Sequence, residues 1–158
     1  MTARPAFDDA SAVVTGAASG IGAEIARQVA RRGAFVLVTD LPGAGHEEVA
    51  RRIVDDGGAA RAMDVDVTAT EDLRAAIDRV VDERGSLDLM FNNAGVAIFG
   101  EYDELTIEDG DRTLDVNLRG VVHGTTLAYR QMVTQGHGHI VTTASAAALV
   151  PVPLQAHY

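Results

Sequence analysis

The sequence predicts an α/β protein in which helices cover both faces of a doubly wound parallel sheet. Short runs rich in β-branched residues alternate with longer segments of helical periodicity, a pattern typical of βαβ units. The runs are apolar on both faces, as expected of strands that are covered by helices on each side. Sixteen glycines fit a chain with many tight turns, and 47% hydrophobic residues suffice for a core. We therefore expect one continuous domain over 1–158.

The positions of the individual elements follow from the same alternation. The β-branched runs predict five strands: Ala12–Thr15, Phe35–Thr39, Ala60–Val65, Leu87–Asn92 and His139–Thr143. The intervals predict four helices: Ile21–Arg32, His46–Asp56, Thr70–Arg84 and Thr106–Gln135. A glycine follows each of the first three helices, and Thr106 with Asp109 can form a capping box at the start of the fourth. Because crossovers between parallel strands are right-handed, the favoured strand order is 3-2-1-4-5.

Charge and composition exclude several classes of function. The formal net charge of -10 repels nucleic acid and anionic lipid, so neither is expected as a partner. The chain has no cysteine, which excludes disulfides, thiolate catalysis and cysteine-based zinc sites. All thirteen basic residues are arginine. The first ten residues do not resemble a secretory signal, and no apolar run is long enough to span a bilayer. A soluble, cytoplasmic protein is expected.

A glycine cluster between the first predicted strand and the first helix is the strongest local signal. Gly16, Gly20 and Gly22 have the spacing G-x-x-x-G-x-G. A pyrophosphate is bound by backbone N–H groups at a helix N-terminus, where no Cβ blocks its close approach. The first glycine can supply the turn off the strand, the second the close approach, and the third the packing of helix on sheet. In this context the cluster indicates a dinucleotide site rather than a merely flexible loop.

An acidic residue at the end of the second predicted strand bears on which dinucleotide is bound. The carboxylate of Asp40 can accept hydrogen bonds from the adenosine ribose hydroxyls and would repel a 2′-phosphate. Ser19 and Leu41, where a phosphate-binding arginine could stand, are uncharged. The pattern favours NAD(H) over NADP(H). An alternative remains open, in which Asp40 only begins a turn with Pro42.

Five motifs in chain order resemble the short-chain dehydrogenase/reductase family, which has the Rossmann fold. The glycine spacing is the first. Asp66-Val67-Thr68 is similar to the family's adenine-contacting turn, and Asn92–Gly95 to its signature after the fourth strand. Asn117 is similar to the helical catalytic asparagine, and Ser145 stands thirteen residues before Tyr158, as the family's serine and tyrosine usually do. The cofactor contacts implied by the motifs and the resemblance are Gly16, Ser19, Gly20, Ile21, Gly22, Asp40, Asp66, Val67, Asn93, Ala94 and Gly95.

The resemblance also implies the chemistry. Oxidising an alcohol by hydride loss requires a base for the hydroxyl proton, and a tyrosine serves as that base when neighbouring groups stabilise its phenolate. The family assigns this task to Tyr158, the binding of the substrate oxygen to Ser145, and a place in a proton relay to Asn117. An NAD(H)-dependent oxidoreductase acting on secondary alcohols and ketones is implied. A non-catalytic NAD(H)-binding regulator is the alternative, although the presence of Tyr158, Ser145 and Asn117 together favours the enzyme.

One departure from the family concerns the end of the sequence. The family's tyrosine belongs to a Tyr-x-x-x-Lys pair, and the chain has no lysine. The family's last strands and helices are also missing. Either these residues belong to a longer polypeptide, which is favoured because every upstream motif is intact, or they are a truncated, inactive product. In the first case a lysine is expected four places beyond Tyr158. The 158 residues alone are not expected to catalyse the reaction.

The remaining candidates carry weaker expectations. His137 and His139 lack a third ligand nearby in sequence, so no metal site is expected. His157 is interpreted as a surface or substrate-loop residue, since adjacent helical residues point in different directions. The apolar segment Ala146–Leu154 would line the mouth of the site and favours an apolar or partly apolar substrate, although packing against another segment or subunit explains it equally well. The resemblance also implies a homo-oligomer, a dimer or tetramer.

Overall fold

The computed structural model describes residues 7–158. Its strands are β1 (Ser11–Thr15), β2 (Phe35–Asp40), β3 (Ala59–Asp64), β4 (Leu89–Asn92) and β5 (His139–Thr142). Its helices are α1 (Gly20–Arg31), α2 (His46–Asp55), α3 (Thr70–Arg84), α4 (Ile107–Leu114) and α5 (Val121–Gln135). A π-helical segment, Asp115–Gly120, joins α4 to α5, and a 3₁₀ turn, Ala146–Ala148, follows β5. The element boundaries differ from those expected by one or two residues, as boundaries commonly do.

The five strands form one parallel sheet in the order β3-β2-β1-β4-β5, which confirms the predicted topology. β1 lies at the centre, with β2 on one side and β4 on the other. The chain therefore leaves β1 toward one half of the sheet and later returns to fill the other half. The connection after β1 leads to β2 on one side of the sheet and the connection after β4 leads to β5 on the other, and such a switch point is where sheets of this kind bind ligands.

Two apolar clusters, one on each face of the sheet, hold the helices in place. Val14 and Val36 face α1 and α2, whereas Val13, Leu37 and Met90 face α3 and α5. Consecutive strand residues point to opposite faces, so burial of both Val13 and Val14 shows that the centre of the sheet is covered on each side. The organisation of 1–158 as one domain stays a prediction.

The expectation that every strand is apolar on both faces is wrong at the two edges of the sheet. All five residues of β1 are buried, but β3 alternates between exposed and partly buried positions, and three of the four β5 residues are exposed. An edge strand pairs on one side only and receives less cover from the helices. The sequence of β3, with Arg61 among alanines, already carries this difference.

The helix predicted over Thr106–Gln135 is interrupted. It begins with the expected capping box, in which Thr106 Oγ1 accepts from the Asp109 N–H at 3.1 Å and the Asp109 carboxylate accepts from the Thr106 N–H at 3.0 Å. The Thr106 N–H and hydroxyl both donate to the Asp109 carboxylate, and these hydrogen bonds hold the pKa of Asp109 below its ordinary value. The π-helical turn then separates α4 from α5. Such turns occur often at functional sites, and this one contains Asn117.

Candidate active site

A cleft of about 880 Å³ opens at the carboxyl edge of the sheet, above the ends of β1 to β5. Its walls include the glycine loop after β1, the ends of β2 and β3, the loop after β4 and one face of α4. Every residue predicted to contact a cofactor lines this cleft, and so does Tyr158. Residues that are distant in sequence are thus brought to one cavity by the parallel topology. Their contacts with a cofactor stay a prediction.

The three glycines of the loop after β1 have different surroundings. Gly16 has a φ of +63°, and a Cβ there would lie 2.6 Å from Cα of Ala94, so this turn accepts glycine only. Gly22 packs against the Gly16 carbonyl and the Asn93 side chain, with no room for a Cβ. Gly20 has a φ of +52° and faces open space, with no described atom within 4 Å of a Cβ built on it. This open cradle at the start of α1 fits a pyrophosphate.

Asp40 fastens the glycine loop to the end of β2. Its Oδ2 accepts a hydrogen bond from the Ala18 N–H at 2.9 Å, and its Oδ1 accepts one from the Leu41 N–H at 2.8 Å. The bond to Leu41 is a local turn contact, but the bond to Ala18 crosses to the loop and is not explained by a turn. Each carboxylate oxygen has a further lone pair, so Asp40 can still accept from ribose hydroxyls.

A threonine that sequence analysis missed organises the loop after β4. The hydroxyl oxygen of Thr15 accepts from the N–H groups of Asn93 at 3.0 Å and Ala94 at 3.1 Å. The Asn93 side-chain amide in turn donates to the carbonyls of Thr15 and Gly16 at 3.0 and 3.1 Å. Thr143, which lines the cleft after β5, donates to Asn93 Oδ1 at 3.0 Å. Asn93 therefore joins the ends of three strands.

The turn after β3 is held by its own side chains. Oδ1 of Asp66 accepts from the Thr68 N–H at 2.9 Å and from its hydroxyl at 2.7 Å. The Asp66 N–H donates to the Asp72 carboxylate at 3.0 Å. Val67 is mostly buried, and a Cβ on Gly120 would lie 3.0 Å from its Cγ2, so the π-helical segment packs closely on this turn. The turn is thus held in a fixed conformation where it lines the cleft.

Asn117 is held against the loop after β4. Its Oδ1 accepts from the Val96 N–H and its Nδ2 donates to the Val96 carbonyl, both at 2.8 Å. The side chain pairs with the loop as a neighbouring strand would, and it is not among the residues that line the cleft. Val96 and Ala97, which it holds in place, do line it. The proton-relay role of Asn117 stays a prediction.

The other two predicted catalytic residues lie in the last part of the chain. Tyr158 is 47% exposed and lines the cleft. Ser145 caps the 3₁₀ turn, where its Oγ accepts from the Ala147 N–H at 3.2 Å, and it is not among the cleft-lining residues. His157 is partly buried, and its ring meets the edge of the Tyr102 ring at 5.8 Å between centroids. The structure therefore brings one of the three predicted catalytic side chains, Tyr158, into the cleft.

Sequence analysis also missed one wall of the cleft. This wall is a single face of α4 and the π-helical segment, formed by Glu108, Asp111, Arg112, Asp115 and Val116. Their spacing of three and four residues is that of one helical face. The helical spacing of these residues was therefore a signal present in the sequence.

The fold and the cleft define a dinucleotide-binding protein of the doubly wound α/β class. A family model described as short chain dehydrogenase matches residues 10–158, which is nearly the whole chain. The chain belongs to this family, as the resemblance in its motifs indicated. Along residues 7–158, none of the helices is both long and apolar enough to cross a membrane. The expected cytoplasmic location stays a prediction.

Individual relatives agree with this assignment. A D-threitol dehydrogenase of Mycolicibacterium smegmatis is 40% identical over 152 residues, covering 96% of this chain and 58% of that protein. A cyclohexanol dehydrogenase of an Acinetobacter species is 38% identical, covering 92% and 59%. A crystal structure of a short-chain dehydrogenase/reductase from Burkholderia phymatum in complex with NAD superposes with a TM-score of 0.92 at 31% identity, covering 96% of this chain and 54% of that one. The chain thus spans somewhat more than half the length of these relatives.

Proposed function

We propose that the protein is an NAD(H)-dependent oxidoreductase that interconverts a secondary alcohol and a ketone. The observation that carries this proposal is the single cleft, which unites the open cradle at Gly20, the carboxylate of Asp40 and the phenol of Tyr158. The names of two relatives, D-threitol dehydrogenase and cyclohexanol dehydrogenase, and the NAD complex of a third support the same chemistry.

In the proposed mechanism the residues of this chain bind, orient and move one proton. NAD⁺, when bound, supplies the acceptor for the hydride that leaves the alcohol carbon. Tyr158 accepts the proton of the alcohol hydroxyl, and in the reverse direction returns it to the carbonyl oxygen. Ser145 donates a hydrogen bond to the substrate oxygen, and Asn117 takes part in the relay that exchanges the proton with solvent. The Ser145 oxygen already accepts from the Ala147 N–H, but its hydroxyl hydrogen is not used by that bond. Ser145 can therefore donate to the substrate while it still caps the turn.

The proposed preference for NAD(H) over NADP(H) rests on the charge of the cleft. Asp40 offers acceptors to a ribose diol, and a 2′-phosphate beside it would be repelled. Four further carboxylates line the same cavity (Asp66, Glu108, Asp111 and Asp115), against one guanidinium, that of Arg112. Such surroundings would repel the dianionic 2′-phosphate of NADP(H).

The proposed substrate is apolar or partly apolar. Leu149 is 86% exposed, and Val150, Val152 and Leu154 in the same segment also have substantial exposure. The Gly100 N–H donates to the Leu154 carbonyl at 3.0 Å, which keeps this segment beside the loop after β4. None of the residues Ala146–Leu154 is among those that line the cleft, so their place at its mouth stays a prediction. An apolar alcohol bound there would bury these side chains.

We also propose that the full-length protein is a homo-oligomer. Leu114, Leu118, Val122, Tyr129 and Val133 are all at least half exposed. They form one stripe along α4, the π-helical segment and α5, because they recur at intervals of four and seven residues. A second copy of the same stripe provides a matching apolar surface. Sedimentation of Val122→Arg tests this, and an unchanged oligomeric state would count against it.

The experiment that tests the proposed activity is turnover by the full-length polypeptide. NADH formation is followed with cyclohexanol, D-threitol and larger apolar secondary alcohols, with NAD⁺ and NADP⁺ in parallel. We expect turnover with NAD⁺ and a preference for the apolar alcohols. Tight NAD⁺ binding without turnover on any alcohol would instead support the non-catalytic regulator.

A further inference from the structure

Three side chains that can bind a metal converge at the start of α2, outside the cofactor cleft. His46 begins α2, Glu47 follows it, and Asp64 ends β3. Each offers one ligand atom, and these atoms lie within 4.8 Å of one another. The three residues are not among those that line the cleft. Sequence spacing gave no sign of this cluster, because β3 contributes one of its members through the fold.

The imidazole of His46 is buried and only partly satisfied. Its side chain is 1% exposed, and Nε2 lies 3.2 Å from Oδ1 of Asp64. Nδ1 is also buried and makes no hydrogen bond with any residue of the described chain. The Oε2 atom of Glu47 lies 3.6 Å from it. When the ring proton lies on Nε2, beside Asp64, the lone pair of Nδ1 faces the Glu47 carboxylate and is free to bind a cation. A cation between the two atoms would give the buried Nδ1 the partner that it lacks among the described residues.

The distances favour a metal ion over a second ring proton as that cation. A charge-assisted N–H···O bond spans about 2.7–2.9 Å, well below the observed separation. Two ligands that each lie about 2.1 Å from a tetrahedral Zn²⁺ are roughly 3.4 Å apart, close to what Nδ1 and Oε2 show. A carboxylate on the other ring nitrogen, as Asp64 provides here, is the arrangement by which proteins orient a metal-binding histidine.

We propose that His46, Glu47 and Asp64 bind a divalent transition-metal ion, for which Zn²⁺ is the probe. Nδ1 of His46 and the carboxylate of Glu47 are ligands, Asp64 lies at Nε2 on the other side of the ring and orients it, and water completes the coordination. The Glu47 and Asp64 side chains are 61% and 58% exposed, which gives an ion access from solvent. Asp64 pairs in register with Asp40, so the ion joins α2 to the sheet beside the carboxylate that faces the cofactor cleft.

The test is calorimetric titration of the full-length protein, stripped of metal by a chelator, with zinc sulfate alone. We expect the Kd for zinc to rise at least about 10-fold in His46→Gln and in Glu47→Gln, and by about 10–100-fold in Asp64→Asn. His137→Gln is the matched control, because His137 also pairs with a carboxylate, that of Asp88 at 3.0 Å, but belongs to no such cluster among residues 7–158. Its zinc affinity should equal that of the wild type.

A spectroscopic readout guards against a variant that does not fold. Glu47 is exposed, so Glu47→Gln should keep its circular dichroism spectrum even if His46→Gln does not. In the wild type, zinc should shift the ¹⁵N resonance of His46 Nδ1 and raise the unfolding temperature, and both effects should shrink in Glu47→Gln. Zinc affinity equal in the wild type and Glu47→Gln would overturn the proposal. A protonated Nδ1 that zinc does not shift would identify a proton as the occupant, and would overturn it as well.

Discussion

Residues 11–95 and residues 96–158 differ in how fully burial and hydrogen bonds fix their conformations. In the first part β1 is entirely buried, and Thr15, Asp40 and Asp66 fix the cleft-lining loops through hydrogen bonds to backbone N–H groups. In the second part most of β5 is exposed, and large apolar side chains such as Ile107 and Leu149 face solvent. The part of the cleft predicted to bind the nucleotide is thus organised by nearby polar bonds. Two of the predicted catalytic side chains, Ser145 and Tyr158, instead stand in a segment whose large apolar side chains face solvent.

The largest expected effect separates the two halves directly. Tyr158→Phe in the full-length protein should lower kcat by about 10²–10⁴-fold, the usual contribution of a positioned acid or base. NAD⁺ affinity should stay nearly unchanged, because the ring remains and only the proton carrier is lost. Steady-state kinetics and fluorescence titration measure the two quantities. Substantial turnover by the variant on every alcohol would show that another group, His157 being adjacent, carries the proton.

The next effect is on the nucleotide half alone. Gly20→Val places a branched side chain in the open cradle and should weaken NAD⁺ binding on the order of 100-fold, through the loss of charge-assisted hydrogen bonds worth about 1.5–3 kcal/mol each. Its φ of +52° also costs stability. Gly85→Val is the matched control, since Gly85 has a φ of +85° and open surroundings but ends α3 away from the cleft. Both variants should lose about 1–3 kcal/mol of stability. Undiminished NAD⁺ binding by folded Gly20→Val would refute the cradle.

A smaller effect concerns which dinucleotide the cleft prefers. Asp40→Asn removes the negative charge and keeps the shape, so the preference for NAD⁺ over NADP⁺ should fall by roughly 1.5–3 kcal/mol, the size of a hydrogen bond to a charged group. Asp111→Asn removes the same charge from the α4 wall of the same cleft and should change the preference much less. Titration of both cofactors into each variant distinguishes a local contact from a general repulsion, and equal effects would favour the latter.

The smallest expected effect lies at the opposite edge of the sheet. Burial raises the pKa of Asp88, but hydrogen bonds from Ser11 and Ser86 and the charge of His137 together hold that pKa below its ordinary value. The ionised carboxylate therefore stabilises the fold above its unfolded pKa of about 3.9, and this contribution is lost as the pH falls through the lower folded pKa. Urea unfolding should show Asp88→Asn less stable than the wild type by at most about 1 kcal/mol near neutral pH. The gap should shrink below about pH 4, and a gap that widens on acidification would contradict this assignment.

The strand order and the conformations of the glycine loop could be predicted from the sequence, because both follow from patterns within short segments. The turn at Gly16 and the cradle at Gly20 each need a backbone conformation that glycine adopts, and helix-covered strands have a recognisable composition. What it did not predict depends on contacts between distant segments. The pairing of Asn117 with Val96 joins two turns that local pattern cannot relate, and the approach of Asp64 to His46 exists only once β3 lies beside β2. The exposure of β3 and β5 reflects their places at the edges of the sheet, and the sequence of β3, with Arg61 among alanines, already indicated it for that strand.

The two backbone bonds of Asp40 have a consequence for redesigning the cofactor preference. Replacing Asp40 with a residue that binds a 2′-phosphate also removes the acceptors of the Ala18 and Leu41 N–H groups. The loop that we propose to cradle the pyrophosphate then loses its hydrogen bond to β2, so affinity for either dinucleotide is expected to fall together with selectivity. A successful exchange therefore needs two changes: a new cation beside the ribose, and a new acceptor, such as a serine or asparagine side chain, to secure the glycine loop.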